Sequence, residues 1–187
     1  GDRCAYADNE YDAAYTYLLA HAATGDGRYL DLGLRCAEHM ADVDCRLQDG
    51  AMWYHGYLEE AEDHRLRRVS GGDPGHVWTD GMWIAWQWTG DPFLREAAER
   101  VTAWTLEHFR RRRLADEFSI CERNLGWPLV VAAAAMENGP ETLAQASAVL
   151  AREAVSFLSA YTEDPDAAYE DPSMPTWWRC AMQDGSK

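Results

Sequence analysis

Side chains that can exchange protons or bind a polar ligand are concentrated in three short segments of the chain. They are Glu10 and Asp12 in the first segment, His76 and Asp80 in the second, and Glu122, Arg123 and Asn124 in the third. Two carboxyl groups can act as proton donor and proton acceptor, and a histidine can act as a base. An arginine can hold a carboxylate through two parallel hydrogen bonds. These residue types indicate acid–base chemistry, provided that the fold brings the three segments together.

Each segment also has a purely structural interpretation. Asn9 and Asp12 have the spacing of a helix capping box, although Asp is a poorer third-position partner than Glu. Asp80 falls in the first turn of a predicted helix, where the helix dipole stabilises a carboxylate. His76 follows an Asp-Pro-Gly turn that is expected to expose it, so it can be a cap or a hydrogen-bonded surface residue. Arg123 can form an internal salt bridge. The sequence leaves both interpretations open.

The three segments stand at the starts of helices that are predicted to be buried. The helix at about 76–89 is apolar almost all round, and the helix at about 125–136 is apolar on every side. A helix of this kind must be buried. A first helix, which begins at residues 9–12, has apolar residues at helical spacing. We expect the starts of these three inner helices to share one rim, near Asn9, His76 and Asn124.

An amphipathic helix follows each of the inner helices, after a turn that contains glycine. These outer helices are predicted at about residues 28–43, 92–109 and 141–161. The alternation predicts an all-α fold with about three helical hairpins in two layers. We expect one domain over residues 1–187. Within it, 44–73 is a long insertion that can carry short strands or a covering loop, and 162–187 is an irregular tail.

The charge of the chain excludes one class of partner. The formal net charge is -15 over 187 residues, whereas phosphate binding needs clustered Lys and Arg. The single basic cluster, at residues 110–113, is expected to interact with the C-terminus of its helix. No apolar run is long enough to cross a bilayer. We therefore expect a soluble protein that binds neither nucleic acid nor membrane.

The five cysteines are odd in number and match neither a disulfide framework nor a zinc motif, so we expect mostly reduced thiols and a cytoplasmic location. Cys36 and His39 are three residues apart on a helix, but they lack a second ligand pair. We predict no metal and no cofactor. Because the chain starts without Met and shows no signal peptide, we expect a processed chain or a piece of a longer one.

Aromatic residues are unusually abundant, with nine Trp and nine Tyr. They can form a large aromatic core, or they can line a sugar-binding groove, since a pyranose ring presents an apolar C–H face to an aromatic ring. Trp78 and Trp127 lie near predicted helix starts. We therefore expect these two residues to contact a ligand at the common rim.

The helix alternation, together with four sequence phrases, resembles the (α/α) toroid of six-hairpin glycosidases and toroid polysaccharide lyases. The phrases are NEYD (9–12), ADVD (41–44), GHVWTDG (75–81) with TGD (89–91), and ERNLGW (122–127). The resemblance is to a broad superfamily of carbohydrate-active proteins. It implies that functional groups gather at one end of the inner helices. Such a toroid has about six hairpins, so the resemblance implies a partial toroid, which is either open or completed by a remainder on the same or another chain.

The resemblance implies cleavage of glycosidic bonds in a poly- or oligosaccharide, and two chemistries stay open. Hydrolysis would use two carboxyl groups from Glu10, Asp80 and Glu122. Elimination would use His76 or Tyr11 as the base, with Arg123 neutralising a uronate carboxylate. The predicted catalytic residues are Glu10, His76, Asp80 and Glu122, and the predicted substrate-binding residues are Asp12, Trp78, Arg123, Asn124 and Trp127. The alternative is a noncatalytic helical-repeat module that binds a glycan or a protein.

Overall fold

A computed structural model describes residues 11–46, 49–52, 58–60, 66–68, 74–115 and 123–163. Six α-helices account for most of these residues, so the predicted all-α class is confirmed. The helices are α1 (Ala13–Thr24), α2 (Gly27–His39), α3 (Asp80–Thr89), α4 (Pro92–Ala115), α5 (Arg123–Asn138) and α6 (Glu141–Glu163). A π-helical turn, Met40–Asp44, extends α2.

The predicted insertion at 44–73 contains two short strands within its described part. Strand β1 (Leu58–Glu60) pairs antiparallel with β2 (Leu66–Arg68), with Leu58 opposite Arg68. A 3-10 turn, Pro74–His76, follows the insertion and packs against α5. Of the two possibilities left by the sequence, short strands are therefore present. The predicted tail from residue 164 onward lies outside the described residues.

The first two hairpins are closed by turns with the same hydrogen bonds. In the Thr24-Gly25-Asp26 turn, Gly25 has a φ of 71° and donates its N–H to the carbonyl oxygen of His21 at 2.7 Å. Gly90 repeats this with a φ of 74° and a 2.7 Å bond to the Trp86 oxygen. Glycine adopts this left-handed conformation without steric cost. The Thr-Gly-Asp repeat in the sequence is therefore a structural repeat.

The inner helices lie side by side in the order α1, α3, α5, and the three hairpins follow one another along the chain. Helix α3 packs against α1, α2, α4 and α5, and its side chains Met82 and Trp83 are fully buried. The prediction of a buried inner helix is correct for the first half of α3, whereas Trp88 near its C-terminus is 45% exposed. Whether this array is part of a toroid remains a prediction.

Helix α5 departs from the prediction that it is buried on every side, and α1, for which only apolar residues at helical spacing were predicted, is also partly exposed. Each keeps a row of apolar residues exposed: Tyr11, which precedes α1, with Tyr15 and Leu19 on α1, and Val130 and Met136 on α5. The reason is geometric, because no other described element covers that side of either helix. Within the described residues, this apolar side of α1 and α5 therefore has no packing partner.

The start of α3 also differs from the prediction. Helix α3 begins at Asp80 and not at His76, because residues 77–79 form a non-helical segment after the 3-10 turn. All three side chains of this segment are buried. The shift of one helical turn places Asp80 and Gly81, and not His76, at the N-terminus of α3.

Helices α1 and α2 pack so closely that there is no space for a side chain at Gly33. A Cβ at this position would lie 2.7 Å from Leu18 Cγ and 3.1 Å from the Leu18 backbone nitrogen. We expect Gly33→Ala to lower the free energy of unfolding by about 1–3 kcal/mol, because the helices must separate to accept the methyl group. Gly27→Ala is the matched control, since a Cβ there meets nothing within 4 Å. Equal denaturant midpoints for the two variants would contradict this packing.

Candidate functional site

Asp12 lies where the starts of α1 and α3 meet. Its carboxylate is only 8% exposed, and its Oδ1 atom accepts a hydrogen bond of 2.8 Å from the Tyr15 N–H. Its Oδ2 atom accepts a second one, also 2.8 Å, from the N–H of Gly81. Asp12 is therefore the N-cap of α1, whereas the sequence had paired it with Asn9 in a capping box, and it also ties α1 to α3.

A cavity of about 340 Å³ opens beside this junction. The three inner helices and the residues just before them supply its lining, which consists of Tyr11, Asp12, Tyr15, Thr16, Trp78, Asp80, Trp127 and Val130. The expectation that the inner helices begin at a common rim is therefore confirmed for the described residues. Four of the predicted site residues, Asp12, Trp78, Asp80 and Trp127, meet in this one cavity, which we call the Asp12–Asp80 cavity.

The two tryptophans of the cavity are in edge-to-face contact. The ring centroids of Trp78 and Trp127 are 4.1 Å apart, and the ring planes make an angle of 69°. Trp78 is buried, whereas Trp127 is half-buried. Trp127 therefore offers ring surface to a ligand, and Trp78 holds the Trp127 ring in place. The exposed rings of Tyr11 and Tyr15 extend the aromatic surface.

Asp80 is the carboxyl group of the cavity whose proton affinity is best suited to acid–base chemistry. Partial burial raises its pKa from 3.8 to about 6, and the negative charges of Asp12 and Glu137 act in the same direction. Its own backbone N–H partly opposes this rise. Near neutral pH Asp80 therefore exists in both protonation states, as a general acid or base must.

Asp12 differs from Asp80 in how its hydrogen-bonding capacity is used. Burial raises the pKa of Asp12, and the hydrogen bonds from Tyr15 and Gly81 oppose the rise. Both carboxylate oxygens already accept a backbone N–H. The observed contacts of Asp12 are structural, and its role as a substrate ligand stays a prediction.

His76 does not reach the cavity. The side chain is 5% exposed and is not part of the lining, so the expected exposure of His76 after the Asp-Pro-Gly turn is wrong. The reason is that the 3-10 turn carrying His76 packs against α5. The base required for an elimination would therefore need to be another residue, such as Tyr11, which does line the cavity.

The remaining predicted site residues cannot be placed in the cavity by their side chains. Glu10 and Glu122 lie outside the described residues. Arg123 and Asn124 form the start of α5 through their backbone, about one helical turn before Trp127, and their side chains are outside the described part. The backbone of Arg123 and Asn124 therefore leads directly to the cavity wall at Trp127.

Three residues of the cavity were not singled out from the sequence: Tyr15, Thr16 and Val130. The sequence spacing could have indicated two of them. Tyr15 is four residues after Tyr11, and Val130 is three residues after Trp127, so each pair lies on one helix face. Glu137, whose charge acts on Asp80, was also missed. Its effect depends on how α5 lies against α3, which a single sequence does not specify.

A second, larger cavity of about 780 Å³ lies between the outer helices α4 and α6. Its lining is mainly apolar, with residues such as Leu106, Phe109 and Leu150. The charged residues Glu107 and Arg110 form an ion pair with each other. This cavity shares no residue with the Asp12–Asp80 cavity, so its size does not make it the site of acid–base chemistry.

The described cysteines are poorly suited to chemistry. Cys36 and Cys45 are free thiols, and burial raises the pKa of both, that of Cys45 to about 11. Within the described ranges, no cluster of three His, Cys, Asp or Glu side chains could bind a metal ion. None of the helices described is long and apolar enough to pass through a bilayer.

Comparison with protein-family models, curated proteins and solved structures yielded no match for this chain. The geometry of the Asp12–Asp80 cavity is therefore the basis for a functional proposal, together with the resemblance of the sequence phrases to carbohydrate-active toroids.

Proposed function

We propose that this chain carries a glycan-cleaving site in the Asp12–Asp80 cavity and that Asp80 is its general acid. One observation carries the proposal: a carboxyl group with a pKa of about 6 opens into a cavity that also presents the Trp127 ring. A glycosidic oxygen must receive a proton as its bond breaks, and a carboxylic acid with a raised pKa is the usual donor.

The aromatic lining supports a sugar as the ligand. The cavity volume of about 340 Å³ is at the lower end of the roughly 300–1,000 Å³ that is typical of small-molecule sites. Trp127 is held by Trp78 and flanked by tyrosines, so its ring can pack against the C–H face of a pyranose. Thr16 and the carboxyl groups supply polar atoms for sugar hydroxyls.

The charge of the cavity favours hydrolysis over elimination. Hydrolysis passes through a transition state with oxocarbenium-like positive charge, which nearby carboxylates stabilise. Elimination next to a uronate builds up negative charge instead. Among the described lining residues, Asp12 and Asp80 are the only charged side chains, and both are acidic. We therefore propose a hydrolase, with Glu10 or Glu122 as its second carboxyl group.

The test of this proposal is an activity screen on neutral and uronate-containing oligosaccharides. New reducing ends and unsaturated products are measured in parallel, the latter by absorbance. We expect new reducing ends without unsaturated products. Unsaturated products would indicate elimination. Binding without any cleavage on the whole panel would favour the noncatalytic glycan-binding module.

The pH dependence of cleavage follows from the raised pKa of Asp80. A general acid must be protonated in the free enzyme, so kcat/KM is expected to decrease as the pH rises through about 6. Above that value the decrease is about tenfold per pH unit, since the protonated fraction falls by that factor. The measurement is the profile of kcat/KM between pH 4 and 9. A profile that rises through pH 6 and stays high would assign Asp80 the role of base or nucleophile.

Removal of the accessible ring tests the sugar contact. We expect Trp127→Ala to raise KM by roughly tenfold, because about 50 Å² of apolar contact with the ring would contribute about 1.3 kcal/mol at roughly 25 cal/mol per Å². Trp88→Ala is the matched control, since Trp88 is 45% exposed at the other end of α3 and contacts His21 outside the cavity. The measurement is initial-rate kinetics on the best substrate of the screen. The same KM for both variants would place the sugar elsewhere.

A further inference from the structure

The hydrogen bonds of Asp12 connect two segments that are distant in the sequence. The bond from the Gly81 N–H to Asp12 Oδ2 joins residues 69 positions apart, whereas the bond from Tyr15 is local to α1. Gly81 follows Asp80 directly. The position of the Asp80 backbone relative to α1 is therefore fixed through the Asp12 carboxylate.

The lack of a side chain at Gly81 is what permits this connection. A Cβ on Gly81 would lie 2.6 Å from the Tyr15 nitrogen and against Asp12 Oδ1. The first turns of α1 and α3 are thus as close as their backbones allow. The negative charge of Asp12 also contributes to the raised pKa of Asp80.

The titratable groups around Asp80 come from several elements. Asp12 belongs to the start of α1 together with Tyr11 and Tyr15, and Glu137 belongs to α5. The negative charge of Asp12 also raises the pKa of Cys36 on α2. His76 lies buried in the 3-10 turn that precedes α3. Helix α4 contributes no residue to the described cavity lining. Among the described residues, Asp12 and Glu137 are the two groups whose charges act on Asp80, and Asp12 has the stronger effect.

We propose that Asp12 is a positioning residue, which holds the Asp80 carboxyl at the cavity and keeps a proton on it. This inference rests on the proposed role of Asp80 as the general acid. The active form of Asp12 in this proposal is the carboxylate, which the two backbone N–H groups favour against the effect of burial. An ionised Asp12 opposes a second negative charge nearby, so Asp80 retains its proton.

Asp12→Asn separates the local role of Asp12 from its role toward Asp80. Asparagine caps a helix as well as aspartate does, so the bond from Tyr15 can persist. In Asn, the side-chain NH₂ group would replace the oxygen that accepts the Gly81 N–H, so two hydrogen-bond donors would face each other. The variant thus removes both the tie to α3 and the charge. Asp91→Asn is the matched control, because Asp91 caps α4 through the Phe93 N–H at 2.9 Å and lies at the other end of α3.

The experiment is a ¹³C NMR titration of the side-chain carboxyl groups, which requires no substrate. In Asp12→Asn we expect the Asp80 pKa to fall from about 6 by part of its rise above 3.8, because burial, the larger cause of that rise, remains. Each unit by which the Asp80 pKa falls lowers the protonated fraction of Asp80 at pH 7 about tenfold. A smaller fall is expected in Glu137→Gln and none in Asp91→Asn. An Asp80 titration that stays near pH 6 in folded Asp12→Asn would overturn the proposal.

A measurement on the unaltered protein tests the proposal even if Asp12→Asn does not fold. The Gly81 and Tyr15 amide resonances should shift with a common midpoint as Asp12 titrates, because both N–H groups donate to its carboxylate. A Gly81 resonance that follows only the titration of the adjacent Asp80 would overturn the proposal. The pH profile of kcat/KM gives a second test: its falling limb should move to lower pH in Asp12→Asn. If the NMR shift occurs but no glycan is cleaved, the role of Asp12 stands and the proposed hydrolase activity fails.

Discussion

Asp80→Asn is expected to lower kcat by roughly 10²–10⁴-fold, because it removes the proposed proton donor while preserving the shape of the side chain. The Trp127 surface is untouched, so substrate binding should persist. Asp42→Asn is a suitable control, since Asp42 is exposed in the π-helical turn outside the cavity. The measurement is single-turnover cleavage at pH 5.5. Less than a twofold difference between the two variants would contradict the role of Asp80.

The same substitution should act on stability in the opposite direction. The pKa of Asp80 is higher in the folded state than in an unfolded chain, so protonation favours folding. The stabilising contribution is complete below about pH 4 and is lost as the pH rises through about 6. At pH 8 the ionised carboxyl opposes folding, and we expect Asp80→Asn to be more stable by about 1 kcal/mol, a value reduced for partial exposure to solvent. A variant that is inactive because it unfolds would not show this increase.

Gly81→Ala is the second change with a large expected effect. The new Cβ would lie 2.5 Å from the Ala14 Cβ and 2.6 Å from the Tyr15 nitrogen, and it would contact Asp12 Oδ1. Two of these neighbours belong to the rigid first turn of α1, so α1 and α3 must move apart. We expect a loss of about 3 kcal/mol or more of unfolding free energy, because overpacking is combined with loss of the Asp12–Gly81 hydrogen bond.

The control for Gly81→Ala is Gly126→Ala. Gly126 lies in the first turns of α5, next to Trp127, but a Cβ there meets nothing within 4 Å. Alanine at this helical position should stabilise the chain by about 0.5–1 kcal/mol. The measurement is urea unfolding followed by circular dichroism, with cleavage activity assayed in parallel. If Gly81→Ala unfolds at the same urea concentration as Gly126→Ala, the close approach of α1 and α3 is incorrect.

The helices of this chain were largely predictable because each follows from a local pattern. The Gly25 and Gly90 turns end α1 and α3 where glycine was expected to end them. The start of α3 was not predictable to within a turn, because Val77, Trp78 and Thr79 fit a buried helix or a buried non-helical segment equally well. Their conformation depends on packing of the preceding turn against α5.

The candidate site was predictable in part. Asp80, Trp78 and Trp127 stand out by residue type, and the alternation of helices predicts that their segments meet. The role of Asp12 toward Gly81 was not predictable, since it depends on a hydrogen bond between residues 69 positions apart. The exclusion of His76 from the cavity likewise depends on tertiary packing.

The exposed apolar rows on α1 and α5 show where reasoning from helix patterns fails. A helix that is apolar on all faces is buried only if enough neighbours surround it. Leu19 and Met136 remain exposed in the described array, because α1 and α5 each lack a neighbour on one side. The pattern thus predicts which faces a helix can bury, and the elements packed around the helix determine which faces it does bury.

Cleavage of a neutral oligosaccharide in H₂¹⁸O, followed by mass spectrometry, tests the central claim most directly. Hydrolysis assisted by Asp80 predicts one ¹⁸O atom at each new reducing end, no unsaturated product, and loss of the labelled product in Asp80→Asn. Products without ¹⁸O, or labelled products formed equally by Asp80→Asn, would contradict the assignment of this cavity as a hydrolytic site.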